Sequence, residues 1–428
     1  MTSLYGFVKR LYLAFNPPAP EAPTESPLRF GVLGAARAAP IALIYPVKNH
    51  PDAVVRAVAA RDQGRADAFA KKHGIPKAYG GPGAYQKMLD DPEIDVVYNP
   101  VGRISFSIMN EATYGSLPVS QLPNGLHYEW TMKALAAGKH VLLEMPSANT
   151  AEETRKMFAF AQEKRLVLLE AFHYRFHPAT RRLKEIVDSG EIGTLTKIEA
   201  SLAIPSGFVK DGNIRMVYEL GGGVMMDMGC YTLSVSRYLS GADPTKVISA
   251  KADTLPKFPH IDIGCTATLA FPSPGGSTGP AEGPTATLDA HFRLPPRFGF
   301  LPQWPKVSAR VTGTRGTVEL NNFVGPWQYH QISVESSEEE GGPLQKRTEQ
   351  RYGDLGWTSY RYQLEAFVDK LRGRDPEHWF DAQDSITNME WIEAIYKEVG
   401  RRIRIAFQLT GLGSRPPSTA EIPQATGT

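Results

Sequence analysis

The chain has 428 residues, which is more than one ordinary hydrophobic core holds, so we expect about two domains. Its 42% hydrophobic and 21% charged residues are typical of a globular protein, and a net charge of +2 gives no reason to expect nucleic acid or an acidic membrane as partner. Two cysteines cannot form a disulfide framework, and no apolar run reaches membrane-spanning length. These features favour a cytoplasmic protein.

Residues 1–28 are predicted to form an arm ahead of the first domain. The stretch "MTSLYGFVKRLYLAF" mixes aromatic residues with Lys9 and Arg10, which favours a short amphipathic helix packed on the body. A targeting peptide is the alternative, although the stretch lacks a long apolar core and a small-residue cleavage site. A Pro-rich linker follows at residues 17–27, and the Gly-, Pro- and Ser-rich residues 406–428 are predicted to be a disordered tail.

The stretch "LRFGVLGAARAAPIAL" predicts a strand, a tight turn and a helix. Gly34, Ala36 and Ala39 stand where a dinucleotide-binding turn needs a turn glycine, close backbone approach to a pyrophosphate, and tight helix–strand packing. Ala36 departs from the usual glycine, so a plain strand–helix turn is the alternative on this string alone. Under the nucleotide interpretation the cofactor contacts are Gly34, Ala35, Ala36 and Arg37.

A second apolar strand, "AVVRAVAARD", ends at Arg61 and Asp62. An acidic residue at such a strand end would bind a ribose diol, whereas Arg61 offers a guanidinium to a 2′-phosphate and a flat face to adenine. We therefore predict NADP rather than NAD as cofactor, with a solvated surface charge at Arg61 as the alternative. The strands and helices that follow alternate, which predicts a parallel sheet covered on both faces and a nucleotide-binding domain over residues 29–169.

Strand-like runs dominate residues 170–405, which predicts a second, α+β domain with a large, mainly antiparallel open sheet. Within this part, "YELGGGVMMDMGCYTLSVSRYLSG" predicts a helix that opens on three glycines and carries Asp227 and Tyr231 at i and i+4, on one face. Such a pair can accept and donate a proton, although a tyrosine packed beside a capping aspartate is the simpler interpretation when the motif is taken alone. The sequence shows no metal-ligand cluster and no nucleophile motif.

The motifs "GVLGAARAAP", "AARD", "LPNGLHYEWTMKALAAGKHVLLEMPSA", "EAFHYRFHP" and "ELGGGVMMDMGCY" occur in order. Over about residues 29–405 they resemble the Gfo/Idh/MocA oxidoreductase superfamily, in particular fungal forms of NADP-dependent D-xylose dehydrogenases and dimeric trans-dihydrodiol dehydrogenases. The resemblance implies an N-terminal Rossmann domain, a C-terminal substrate and dimerisation domain, NADP, a small sugar or diol as substrate, and a homodimer through the C-terminal sheet.

The resemblance also implies roles for single residues. Tyr231 stands at the acid/base position and Asp227 beside it. Arg175 matches a family arginine near the substrate, and His177, in the strand-like run that ends at Pro178, is either structural or substrate-facing. The further cofactor contacts that it implies are Pro100, His127, Glu144 and Pro146.

One position departs from the family pattern. The family motif E-K-P places a lysine beside the nicotinamide and the reacting hydroxyl, but here Met145 stands between Glu144 and Pro146. A lysine would lower the pKa of the hydroxyl and stabilise developing alkoxide, whereas methionine has similar length but neither charge nor donor. Lys139 lies on the wrong side of the strand to replace it.

Three functions are compatible with this departure. The favoured one is a working dehydrogenase, in which Tyr231 suffices or another lysine reaches in. It would oxidise a cyclic sugar such as D-xylose at the anomeric carbon to a lactone, or alternatively a trans-dihydrodiol. The second is a protein that binds NADP(H) without turning over external sugar, as a sensor or scaffold. The third is a non-redox or internal-redox enzyme on the same fold.

Residues 101–121, "VGRISFSIMNEATYGSLPVSQ", interrupt the family motif, and a loop of this length in a nucleotide domain is unusual. Valine codons begin with GT and a glutamine codon can end in AG, so we interpret the segment as a retained intron translated in frame. A lid over the nicotinamide is the alternative. We expect transcript sequencing to find a spliced message that lacks these residues; a uniform message that contains them contradicts the intron.

Overall fold

The computed structural model describes residues 4–20, 24–100, 124–273, 283–294, 296–298, 301, 303–353 and 356–400. The segment 101–121, the tail 406–428 and part of the linker 17–27 therefore lie outside the described residues. The described α-helices are α1 (Leu4–Phe15), α2 (Tyr45–Lys48), α3 (Gln63–His73), α4 (Ala84–Leu89), α5 (His127–Ala136), α6 (Ala151–Glu163), α7 (Pro178–Asp188), α8 (Cys230–Ser240), α9 (Ser359–Leu371) and α10 (Ala382–Glu398). None of them combines the length and apolarity needed to cross a membrane.

The described strands form two sheets. They are β1 (Leu28–Leu33), β2 (Ala53–Ala59), β3 (Lys77–Tyr79), β4 (Val96–Asn99), β5 (His140–Leu143), β6 (Leu168–Glu170), β7 (Leu195–Pro205), β8 (Lys246–Asp253), β9 (Gly264–Ala270), β10 (Thr285–Leu294), β11 (Lys306–Gly313), β12 (Gly316–Asn321), β13 (Gln331–Ser336) and β14 (Gln345–Glu349). The first six are all paired in parallel, in the order β3-β2-β1-β4-β5-β6. This is the Rossmann strand order, so the predicted parallel nucleotide-binding sheet is confirmed.

The second sheet has eight strands in the order β14-β13-β12-β11-β7-β10-β9-β8. Its pairs are antiparallel except β7 with β10, which run parallel, so the prediction of a mainly antiparallel sheet is confirmed. Alternate residues of β10 are buried, as expected for a sheet with one face on the core. The strand β14, "QKRTE", was not predicted, because this exposed and charged edge strand lacks apolar alternation.

The last two helices return to the first domain. On α9, the Phe367 ring packs against Phe30 of β1 with ring centroids 6.4 Å apart. On α10, Glu393 accepts the backbone N–H of Ala151, the first residue of α6, at 2.8 Å. Buried residues of both sheets and these helices form one continuous core, so the two domains are joined along a packed interface.

The N-terminal arm contains the predicted amphipathic helix. Ala14 of α1 is buried, and the Phe15 ring meets Tyr45 edge-on at 5.9 Å. Arg10 Nε donates to the Gln328 carbonyl at 3.1 Å, and its guanidinium lies over the Tyr352 ring. These contacts confirm a helix packed on the body.

Two local predictions need correction. The strand predicted in "VLLEAFHYRFHP" ends at Glu170, and residues His173–Phe176 form a 3₁₀ turn, since Pro178 already begins α7, where its fixed φ and missing N–H are tolerated. The helix predicted after the three glycines begins with a π-type turn, Met225–Gly229, before the regular α8.

Candidate functional site

The turn after β1 has the backbone of a dinucleotide-binding loop. Gly34 adopts φ +94°, a region that other residues rarely enter, and its N–H donates to the Ala59 carbonyl at the end of β2 at 2.7 Å. The side chains of Ala35, Ala36 and Ala39 are buried. Because these side chains are small, a pyrophosphate can approach the backbone at the carboxyl end of the parallel strands.

Three arginines gather beside this turn. Burial, together with the nearby charges of Arg61 and Arg37, lowers the pKa of Arg65, so both of these arginines lie close to Arg65. Asp62 caps α3 by accepting the Arg65 backbone N–H at 2.8 Å. Arg37 and Arg61 were predicted from the sequence, but Arg65 was not, although it stands four residues after Arg61.

The loop after β5 is held by buried polar groups. The peptide bond between Met145 and Pro146 is cis. The His127 ring donates from Nδ1 to the Pro146 carbonyl at 2.8 Å, and the Tyr98 hydroxyl donates to Glu144 Oε1 at 2.8 Å. Burial lowers the pKa of His127 to about 4, so the ring is neutral at pH 7. His127 and Glu144 therefore fix this loop from the inside, and the buried Pro100 follows the neighbouring strand β4.

Glu170, at the end of β6, holds the same loop from the next strand. Its Oε1 accepts the Ser147 backbone N–H at 2.7 Å, and burial raises the pKa of its carboxyl to about 8. A few residues further on, the Asn149 N–H donates to Glu153 Oε2 at 3.0 Å. Glu170 was not predicted as a site residue, because nothing in its local pattern distinguishes it from any other residue at a strand end.

Met145 lies in the interior, with 1% of its surface exposed, among the residues of the main hydrophobic core. Lys139 is at the opposite end of β5, where its Nζ donates to the carbonyls of Asp91 and Ile94 at 2.9 and 2.8 Å. The structure therefore agrees that Lys139 cannot stand in for a lysine at position 145.

Asp227 lies just after the glycine run, Gly221–Gly223, and forms an ion pair. Its Oδ2 accepts from Arg215 Nε at 2.8 Å, and both side chains are largely buried. Gly222 must be a glycine here, since a Cβ would come within 2.4 Å of the Arg215 carbonyl oxygen. Arg215 was not predicted from the sequence, because it precedes the glycine run without any regular spacing.

Two asparagines bring the glycine run against the loop after β5. Asn124 Nδ2 donates to the Gly221 carbonyl at 3.2 Å. A Cβ on Gly221 would lie 2.6 Å from Asn149 Oδ1, so the two segments touch. A cavity of about 10 Å³, roughly the size of one water, opens at this junction; it is lined by Asn124, Ile214, Arg215, Leu220, Gly221, Gly222 and Asp227.

Tyr231 faces a different set of neighbours from Asp227. It is 1% exposed and packs against the rings of Phe172 at 5.4 Å, Tyr174 at 5.7 Å and His173 at 6.3 Å. Asp227 instead meets Arg215, so the predicted pair does not share one set of contacts.

The structure does not bring Arg175 and His177 to this junction. Arg175 lies over the Tyr238 ring at 4.0 Å and contacts Asp384 at 3.5 Å, in a separate pocket of about 330 Å³. Tyr238 is eleven residues beyond Asp227, roughly 16 Å along the helix. His177 accepts the Ala179 N–H through Nδ1 and so caps α7. The predicted substrate contacts of Arg175 and His177 stay predictions; in the ligand-free chain Arg175 packs on Tyr238 and His177 caps α7.

Within the described parts of the chain, no group of three or more His, Cys, Asp or Glu side chains could hold a metal ion. The candidate site combines the turn at Gly34, the buried loop after β5 and the Arg215–Asp227 pair of the second domain. These are features of a two-domain oxidoreductase that uses a dinucleotide.

Comparison with known proteins agrees with this class. Residues 28–172 match the oxidoreductase family with an NAD-binding Rossmann fold, and residues 180–319 match the GFO/IDH/MocA C-terminal domain. The chain is 30% identical to D-xylose 1-dehydrogenase (NADP(+)) 2 of Haloferax volcanii, over 88% of this chain and 100% of that protein. The chain therefore belongs to the Gfo/Idh/MocA oxidoreductase family.

Two further relatives are informative. Trans-1,2-dihydrobenzene-1,2-diol dehydrogenase of Mus musculus is 28% identical over 70% of this chain and 76% of its own length. The solved 3-ketoreductase from Actinomadura kijaniata, in complex with NADP and TDP-benzene, is 26% identical, with a TM-score of 0.68 over 87% of this chain and 98% of that one. None of these three relatives is fungal, so the expected likeness to fungal forms gains no support from them.

Proposed function

We propose that this chain is an NADP-dependent dehydrogenase that oxidises the anomeric hydroxyl of a cyclic sugar such as D-xylose to a lactone. The observation that carries the proposal is the meeting of the loop after β5 with the Gly221–Asp227 segment, at the carboxyl ends of the parallel strands. Ligands of open parallel sheets bind at this edge. The relative from Haloferax volcanii, matched over its whole length, supports the substrate class.

The cofactor preference rests on the arginine cluster. Arg37, Arg61 and Arg65 lie together beside the turn at Gly34, and guanidinium groups bind phosphate through paired N–H donors. A 2′-phosphate distinguishes NADP from NAD, so three cations beside this turn favour NADP. The names of two relatives, which include NADP, support the same preference.

Different residues of the chain are proposed to transfer the proton and to shape the nicotinamide site. NADP⁺, when bound, supplies the acceptor for the hydride. Tyr231 is proposed to exchange the hydroxyl proton, with Asp227 near the reacting group. His127, Glu144 and Pro146 shape the loop beside the nicotinamide site. Met145 fills the position of the family lysine and excludes water there, but it provides no charge.

Two alternatives follow from specific observations. Similarity to the mouse enzyme favours a trans-dihydrodiol as the second candidate substrate. The uncharged Met145 favours a protein that binds NADP(H) with weak or no turnover.

We propose that a homodimer forms through the open face of the second sheet. Polar residues of β10 on this face, such as Thr287 and Asp289, lie partly exposed.

The test is a binding titration followed by a substrate panel. We expect purified chain to bind NADPH at least about tenfold more tightly than NADH, as measured by fluorescence. We also expect it to reduce NADP⁺ with at least one pentose, hexose or trans-dihydrodiol. NADPH binding without turnover of any substrate in the panel would favour the cofactor-binding alternative. Absence of NADPH binding would contradict the proposed function.

A further inference from the structure

The Arg215–Asp227 pair is a buried charge pair at the junction of the two domains. The Arg215 side chain is 6% exposed and that of Asp227 is 15% exposed. Asn213 Oδ1 accepts both the Arg215 backbone N–H at 3.1 Å and its Nη1 at 3.3 Å, while Nε is held by Asp227. The guanidinium is therefore fixed at two nitrogens, and Nη2 has no acceptor among the described residues.

The backbone of Arg215 is bound to the glycine run, and that run in turn meets the loop after β5. The Arg215 carbonyl accepts the Gly223 N–H at 2.9 Å, which ties it to the glycine run. Two residues before Gly223, Gly221 lies against Asn149 of the loop after β5. Of the described residues that line the small cavity at this junction, Arg215 is the one cation.

We propose that Arg215 supplies the positive charge that Met145 does not, by donating an N–H to the reacting oxygen of the substrate. This inference rests on the proposed dehydrogenase function. A guanidinium keeps its charge at every working pH and carries five donors, so two can hold its position while others face a ligand. A fixed, largely buried donor stabilises developing negative charge on oxygen more than a solvated one does.

Arg215 is chemically unchanged by the proposed oxidation of the substrate hydroxyl. With NADP⁺ bound as hydride acceptor, the substrate carbon would lose a hydride, the hydroxyl would pass its proton to Tyr231 while Tyr231 passes its own proton to water, and the C–O bond would become C=O. Arg215 gains and loses no atom; it stabilises the charge on oxygen while the proton leaves. Asp227 keeps the guanidinium in position and is a positioning residue in this respect.

The decisive variants are Arg215→Met, Arg215→Lys and the double variant Arg215→Met with Met145→Lys. We expect Arg215→Met to lower kcat about 10²- to 10³-fold, as loss of one such donor does elsewhere. Arg215→Lys should keep part of the activity. The double variant should recover at least about tenfold over Arg215→Met, because the charge returns from the family position.

A second readout does not depend on turnover. Xylonate, a five-carbon aldonate, carries negative charge where the reacting oxygen would lie. Its affinity, measured by calorimetry with and without NADPH, should fall at least about tenfold in Arg215→Met. NADPH affinity should change less than about twofold, which also shows that the variant is folded. Arg237→Met is the matched control, since Arg237 is equally buried and pairs with Asp243 at 2.6 Å, but it lies in the separate pocket near Tyr238.

The outcomes separate this inference from the proposed function. Unchanged kcat and xylonate affinity in Arg215→Met overturn the role of Arg215 and leave the dehydrogenase intact. An inactive natural chain that gains turnover through Met145→Lys alone also overturns it, because Arg215 then fails to replace the lysine. If the natural chain binds no NADPH, the proposed function fails, and the xylonate titration without cofactor still decides whether Arg215 holds a charged oxygen.

Discussion

Tyr231→Phe is expected to lower kcat by about 10²- to 10⁴-fold, which is the usual contribution of a positioned acid/base group. The change removes one hydroxyl and keeps the ring that packs against Phe172 and Tyr174. The fold and the distant nucleotide turn should therefore be unaffected. Steady-state NADP⁺ reduction with the best substrate measures kcat, and NADPH fluorescence measures the cofactor affinity.

The matched control for this variant is Tyr174→Phe. Tyr174 is fully buried in the same aromatic cluster, and its hydroxyl donates to Ser234 Oγ at 2.8 Å. Loss of that bond should cost about 1 kcal/mol of stability and leave kcat within a few-fold. Equal activity of Tyr231→Phe and the natural chain would show that another group moves the proton.

The nucleotide-binding domain was largely predictable from sequence. Apolar strands that alternate with helices admit few arrangements, and the right-handed crossover rule then leaves little freedom in a parallel sheet. The second sheet was predictable strand by strand, but its order was not. Nothing local in β7 or β10 indicates that these two strands, about 80 residues apart, pair in parallel.

The candidate site was predictable only where a motif is continuous along the chain. Gly34 and Pro146 belong to short sequence motifs, so their positions were predictable. Arg215 and Glu170 belong to no such motif, and their contacts form only when distant segments come together in the fold. Glu170 meets Ser147 from a neighbouring strand. Arg175 was assigned by motif alone, and its contacts with Tyr238 and Asp384 could not be predicted from that motif.

Met145 and the arginines proposed to bind the 2′-phosphate of the cofactor lie in different parts of the candidate site. Met145 is buried at the domain junction, while the arginines that would hold the 2′-phosphate lie at the far end of the nucleotide, near β2. A substitution at Met145 should therefore leave the affinity for the 2′-phosphate intact, and a substitution of these arginines should leave the chemical step intact. Cofactor affinity and turnover are therefore two independent measurements on this chain.

Replacing Arg61 and Arg65 together with alanine is expected to raise the Kd for NADP by roughly two to four orders of magnitude. Each charge-assisted contact to a phosphate is worth about 1.5–3 kcal/mol, or about tenfold to a hundredfold in affinity. NAD lacks the 2′-phosphate, so its Kd should change little. Parallel fluorescence titrations with NADPH and NADH measure both values.

Arg56→Ala is the matched control, because Arg56 lies on β2 but pairs with Glu93 at 3.0 Å, away from the turn at Gly34. It should leave both affinities unchanged. If the double variant weakens NADPH and NADH equally, the arginines support the fold or contact the shared adenosine rather than the 2′-phosphate. The distinction follows from chemistry alone, since that phosphate is the single group by which the two cofactors differ.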